Sequence, residues 1–193
     1  ATRSAKEVTT DPKMISLTAL HEDPKRIVKE NLGASVIDLG DGVLLVETHT
    51  KMNTIDADVL ELIQFATEEA ERNYQALVIG NDGVHFSAGA NLMFVYMAAQ
   101  QKAWEQIDQM VRQFQTTLQN LRYAKIPVVA APFNYTFGGG AEMSMACDAC
   151  QASAETYMGL VEVGAGLVPA GGGCLRMLER WTQDVQSVAG VDL

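Results

Sequence analysis

The chain has 193 residues, 48% of them apolar, and carries 14 Lys+Arg against 24 Asp+Glu for a formal net charge of −10. That size points to one domain with an appended arm and enough apolar residues for a real core. The acidic balance argues against nucleic acid as a partner, no apolar run reaches membrane-spanning length, and three cysteines without a repeating spacing argue against a disulfide framework.

Charge is uneven along the chain. Residues 1–33 hold six Lys/Arg and five Asp/Glu, whereas residues 34–193 hold eight and nineteen. The first segment has two prolines and no sustained period, and reads as a linker or arm from a preceding domain. The N-terminus has no signal-peptide hydrophobic segment, so a cytoplasmic or organelle-matrix location is expected. The chain starts at Ala and stops at "SVAGVDL", and both ends look cut.

From residue 34 the pattern sharpens. "ASVIDLGDGVLLVETH" holds two β-rich runs around Asp41-Gly42, a hairpin signal. "TIDADVLELIQFATEEAERN" places Ile55, Val59, Leu62, Ile63, Ala66 and Ala70 on one helical face. "ALVIG" reads as a short buried strand. "AWEQIDQMVRQFQTTLQNL" predicts a helix with Trp104, Ile107, Val111, Phe114, Leu118 and Leu121 as its apolar stripe. "IPVVAAP" is a further buried strand that runs toward glycines. The order β-β-α-β-α-β-α is an α/β layout with parallel crossovers.

Three strand-to-turn or glycine-rich stretches carry the chemistry. In "FNYTFGGGAEMSMACD" a glycine triplet leads into a helix start, with Glu142 one residue beyond the last glycine. Unpaired N–H groups there make an anion site. No Walker or dinucleotide pattern follows, and a carboxylate repels phosphate. A developing oxyanion fits better, with backbone donors on a carbonyl oxygen and an acid or base beside the adjacent carbon. The glycines alone also fit a hinge with the glutamate serving the first helical turn. "HFSAGANL" is a second small-residue turn before a helix start, where Ala88, Gly89 and Ala90 can present backbone to a ligand. "YMGLVEVGAGLVPAGGG" sets Glu162 in an apolar run. Burial there raises a carboxyl pKa, and exposure on a half-buried strand is the alternative.

In this order these stretches resemble the crotonase superfamily of enoyl-CoA hydratases and isomerases, with "ETHTKMNTIDADVLELI" similar to the first CoA-binding loop. The resemblance covers about residues 34–182. It implies a crotonase-like α/β spiral of ββα units for residues 34–193, with the family's C-terminal helices truncated. It is nearest to the hydratase module fused after a 3-hydroxyacyl-CoA dehydrogenase. By that resemblance the N–H groups of Ala90 and Gly139 form an oxyanion hole, and Glu142 and Glu162 are the two catalytic acids. Lys51, Met52, Ala88, Gly89, Asn91 and Leu92 line the CoA path. Asn91 stands where many relatives carry Asp. The implied reaction adds water to a 2-enoyl-CoA thioester in β-oxidation. It needs no metal or cofactor in this domain, with NAD expected only in a fused dehydrogenase. Acyl-CoA is the expected partner, and a homo-oligomer is possible. Alternatives are an enoyl-CoA isomerase, in which one carboxylate suffices, or an inert oligomerisation or fragment domain.

Other residues invite bland readings. Cys147, Cys150 and Cys174 fit core thiols. His21, His49 and His85 lack ligand spacing for zinc. Lys51 fits either a CoA phosphate contact or a solvated lysine. Met93, Met97, Met143 and Met145 suit an adaptable acyl pocket or ordinary core filling.

Overall fold

The computed structural model describes residues 14–189. A short helix α1 (Leu17–His21) leads to strands β1 (Ile27–Glu30), β2 (Ala34–Gly40) and β3 (Val43–Thr48). A 3-10 turn, Lys51–Asn53, precedes helix α2 (Ala57–Asn73) and strand β4 (Ala76–Gly80). Helices α3 (Leu92–Gln100) and α4 (Trp104–Arg122) follow, then β5 (Val128–Ala130), β6 (Tyr135–Phe137) and helix α5 (Gly139–Ala146). The chain closes through β7 (Ala149–Cys150), β8 (Tyr157–Gly159), a 3-10 turn Glu162–Ala165 and helix α6 (Gly173–Ala189).

The main sheet runs β1-β2-β3-β4-β5-β7, antiparallel over its first three strands and parallel thereafter. β6 and β8 form a separate parallel pair. The β2–β3 connection is the expected two-residue turn: Asp41 (φ 51°) and Gly42 (φ 75°) both take positive φ, the combination a tight twisted hairpin requires. The arm reading of residues 1–33 needs correction from residue 14 onward. Residues 1–13 lie outside the described residues. Ile27–Glu30 pair antiparallel with β2 as the edge strand, and Leu17 packs under the sheet. The expected single strand before the glycines is two, because "NYTF" turns away from β5 to form β6.

The core divides by the two-residue strand period. Val36, Leu44 and Val46 face α2 and α4, meeting Val59, Leu62, Ile63, Leu118 and Leu121. Ile37 and Leu45 point to the other face and meet Leu17 of α1. The α2 stripe is buried as its period predicts, and Asp56 caps its N-terminus by accepting from Val59 N at 3.1 Å. The α4 stripe is not. Only Leu118 and Leu121 of the six predicted positions are buried, and Trp104 is 62% exposed. Ile107, Val111 and Phe114 border a cavity instead, so the N-terminal half of α4 is a wall and not core.

Leu62 is fully buried at the centre of this packing. Leu62→Ala should therefore lower unfolding free energy by about 2–5 kcal/mol, read as a lower urea midpoint with an unchanged slope.

Candidate active site

Two backbone turns meet at the C-terminal edge of the parallel strands. The first, residues 87–91, is fixed almost completely by its own hydrogen bonds. Ser87 N donates to Tyr135 O, Ala88 N to Met52 O, and Asn91 N to Ile55 O, while Gly89 O accepts from Ile55 N. Gly89 N donates to Ser87 Oγ, which itself donates to Asn53 O at 2.7 Å. Asn53 in turn donates to Asn81 Oδ1 and to His85 O. Within residues 87–91, the Ala90 N–H is left without an acceptor among the described residues. Asn91 caps α3, accepting from Met93 N at 3.2 Å, so the amide performs the capping contact that a carboxylate would make.

The second turn is the start of α5. Gly138 adopts φ 51°, ψ −119°, a conformation that only glycine takes at ease. It turns the chain so that Gly139 opens the helix, where an N–H has no intrahelical partner. The two turns touch backbone to backbone. A Cβ added to Gly89 would lie 2.8 Å from Phe137 O and 3.0 Å from Gly139 N, and one added to Gly139 would lie 3.3 Å from Ala90 N. Further along α5, a Cβ at Gly140 would lie 2.7 Å from the Ser87 side chain. The glycine triplet is therefore a close-approach surface. The two unclaimed N–H groups, Ala90 and Gly139, stand beside each other at the mouth of one cavity.

That cavity encloses about 570 Å³. Ala88, Gly89, Ala90, Asn91, Leu92 and Gly139 border it, together with Glu142 and Glu162. Ile107, Val111 and Phe114 of α4 and Leu167 and Val168 supply apolar walls. Lys51 and Met52 do not line it; Lys51 is exposed, and Met52 contributes its carbonyl to hold Ala88. Met143 and Met145 are core, Met93 and Met97 are exposed, and the methionine bordering the cavity is Met110, one turn before Phe114 on α4. His85 stacks on Tyr135 with ring centroids 4.5 Å apart.

The carboxylates are held differently from the sequence expectation. Glu142 is the buried one, 3% exposed. Its Oε1 accepts from Gly171 N and Gly173 N, both at 2.8 Å. Burial pushes its pKa up, the two N–H donors pull it down, and the nearby Glu162 charge adds to the rise; the net direction is upward. Glu162 sits in a one-turn 3-10 helix and is half-buried, with its flanking residues 161 and 163–168 exposed. The run "GLVEVGAGLVP" is thus a surface wall, not a buried strand, because it contributes apolar side chains to a cavity rim. Glu162 Oε1 lies against Gly138, 3.1 Å from where a Cβ would stand, and its Oε2 is buried with no partner. Only Cys147 of the three cysteines is buried, its thiol pushed up to about 12 by burial. Cys150 and Cys174 are exposed, which corrects the core-thiol reading for both: one closes an edge strand and the other opens α6.

The Glu142 environment has a thermodynamic signature. A raised native pKa means that the folded chain binds this proton more tightly than the unfolded chain does. Stability is then fully present below the unfolded carboxyl value of about 4.3 and falls as pH rises through the native value. Glu142→Gln should flatten that fall, and Glu162→Gln should move the Glu142 titration, followed by carboxyl ¹³C NMR, to lower pH.

The family model described as "Enoyl-CoA hydratase/isomerase" matches residues 39–184. A Bacillus subtilis protein named "Probable 3-hydroxyacyl-CoA dehydrogenase" is 47% identical over 171 residues, covering 89% of this chain and 21% of that protein. A "Putative fatty acid oxidation complex trifunctional enzyme" of Rickettsia felis is 32% identical over 80% of this chain and 21% of its own length. The chain thus spans about a fifth of these curated relatives. Among solved structures, Pseudomonas aeruginosa DspI superposes with a TM-score of 0.68 at 31% identity, over 77% of this chain and 60% of that one. An enoyl-CoA hydratase from Bacillus anthracis superposes at 0.65 with 26% identity, over 75% and 57%. With a matched sequence span that takes in both turns and both glutamates, on a mixed α/β fold shared with solved hydratases, the chain belongs to the enoyl-CoA hydratase/isomerase family of the crotonase superfamily.

Proposed function

We propose that this chain is an enoyl-CoA hydratase module that adds water across the double bond of a 2-enoyl thioester. The observation that carries the reading is the composition of one cavity rim: two unclaimed amide donors, Ala90 and Gly139, and two carboxyl groups, Glu142 and Glu162. In the proposed reaction the thioester oxygen accepts from both amides. Enolate charge builds on that oxygen in the transition state, where removing one such donor typically costs about 3–4 kcal/mol. Water forms its oxygen bond to C3 and gives a proton to one carboxylate, while the other carboxyl gives a proton to C2. The carbon–carbon π bond is consumed, and the protons balance. The Glu162 charge adds to the burial that raises the Glu142 pKa.

The module asks for no metal or redox cofactor of its own. Its product would be a 3-hydroxyacyl thioester, the substrate class of a 3-hydroxyacyl-CoA dehydrogenase. The names of the longer Bacillus and Rickettsia relatives support a fusion with such an enzyme, which would hold NAD. We place the acyl chain along the α4 wall and the coenzyme A portion past residues 88–92. Among the described residues no helix is long and apolar enough to cross a membrane.

Loss of the conjugated enoyl-thioester absorbance on mixing with the purified chain tests the proposal. Glu142→Gln and Glu162→Gln should each lower kcat by about 10²–10⁴-fold. Double-bond migration without hydration, surviving Glu162→Gln, would assign an isomerase instead. An unchanged spectrum with an intact circular-dichroism signature would mark an inert domain.

The oxyanion donors are backbone and cannot be deleted, but their spacing can be disturbed. Gly89→Ala introduces a Cβ at φ 89° between Phe137 O and Gly139 N. It should reduce kcat about a hundredfold through misplacement of the order of 1 Å, with the raised Glu142 pKa retained.

A further inference from the structure

On the opposite face of the main sheet, away from the cavity, His21, Glu47 and His49 come together. One ligand atom from each residue lies within 4.8 Å of the others. Their sequence spacing gives no hint of this, since His21 is on α1 and the other two are at the end of β3. The strand period explains the second half of the arrangement. Glu47 and His49 are two apart and share a face with Leu45. Leu45 packs with Leu17 of α1, and that contact brings the last turn of α1, carrying His21, over Glu47.

Three details distinguish this cluster from a surface ion pair. Glu47 is 8% exposed, and a carboxylate so placed needs a cationic partner. His21 Nε2 stands 2.6 Å from Glu47 Oε2, which accounts for one imidazole but leaves His49 with no hydrogen bond from its side chain among the described residues. The site is also polar. Ser35 faces Glu47 directly across β2–β3, is fully buried, and its Oγ has no partner. On the other flank Glu47 pairs with Gly80 of β4, which has no side chain.

We propose that His21, Glu47 and His49 form a binding site for a first-row divalent transition ion of the zinc class. Two imidazole nitrogens and one carboxylate oxygen are a donor set such ions favour. Magnesium and calcium instead take all-oxygen sets. Ligands of one tetrahedral zinc lie roughly 3.3 Å apart at bond lengths of about 2.0–2.1 Å, so His21 and Glu47 separate slightly as the ion replaces the proton between them. The exposed side is left for water. None of the three residues borders the cavity. The ion would clamp α1 onto the sheet.

Calorimetric titration of the tag-free full chain with Zn²⁺, and spectroscopic titration with Co²⁺, decide the matter. We expect one equivalent bound with a micromolar or tighter Kd, a higher melting temperature, and visible cobalt bands of a nitrogen and oxygen ligand set. His21→Asn and His49→Asn, both at exposed positions, should each weaken binding at least about tenfold, the loss that even outer-shell changes produce. Glu47→Gln should do the same if it folds by circular dichroism; the two histidine variants decide the outcome if it does not. The proposal is overturned by absence of saturable binding, by affinity unchanged in both histidine variants, or by a thiolate-to-cobalt charge-transfer band placing the metal on Cys150 or Cys174.

Discussion

The site rests on one steric constraint: two loops must approach with backbone against backbone. Residues 87–90 and the first turn of α5 approach so closely that a single methyl at Gly89 or Gly140 would strike the other loop. Everything of chemical interest follows from that approach. The Ser87 hydroxyl, by serving both Asn53 O and Gly89 N, spends the local hydrogen-bonding capacity of the first loop and leaves Ala90 unclaimed. The helix geometry of α5 leaves Gly139 unclaimed for a separate reason, the lack of a preceding carbonyl. Two independent local causes thus put two donors at one place. Buried unpaired amides are costly, and a cavity mouth is where that cost is relieved by solvent or by a ligand.

The network behind the first loop is built from neutral amides. Asn53 and Asn81 join the 3-10 turn, the end of β4 and the residues before the loop. A charged group in their place would carry a desolvation cost and pull on the acids of the cavity. Neutral partners leave the electrostatics of the rim to Glu142, Glu162 and the amides. The Glu162 charge therefore reaches Glu142, while the surface ion pairs, such as Lys29–Glu61 and Arg112–Asp108, are screened bystanders.

Legibility in the sequence followed the range of the interactions involved. The Asp41-Gly42 turn, the α2 stripe and the helix start after the glycines are local events, governed by φ preference, period and capping, and they were readable residue by residue. The family resemblance supplied the pairing of Glu142 with Glu162, which no local rule could supply across that separation. Local reasoning failed where a residue's surroundings are tertiary. Ile27–Glu30 is a four-residue, partly exposed edge strand in a charged context, too short and too polar to announce itself. The apolar residues of α4 and of residues 161–168 looked like core because a cavity wall and a core have the same composition. The histidine–glutamate cluster was invisible for the same reason: Leu17 against Leu45 assembles it, not spacing.

The two carboxyl groups stand on supports of unequal compliance. Glu142 projects from a helix whose eight residues are all buried, with one oxygen clasped by two main-chain donors. Glu162 rides on a single 3-10 turn at the surface, anchored by short-range bonds such as Leu167 N to Glu162 O. Such segments open at little free-energy cost while buried helices open only with the whole domain. One jaw of the cavity is therefore an anvil and the other a spring. A bulkier ligand in the cavity would meet less resistance from the outer wall, which carries Glu162, than from α5, which carries Gly139 and Glu142.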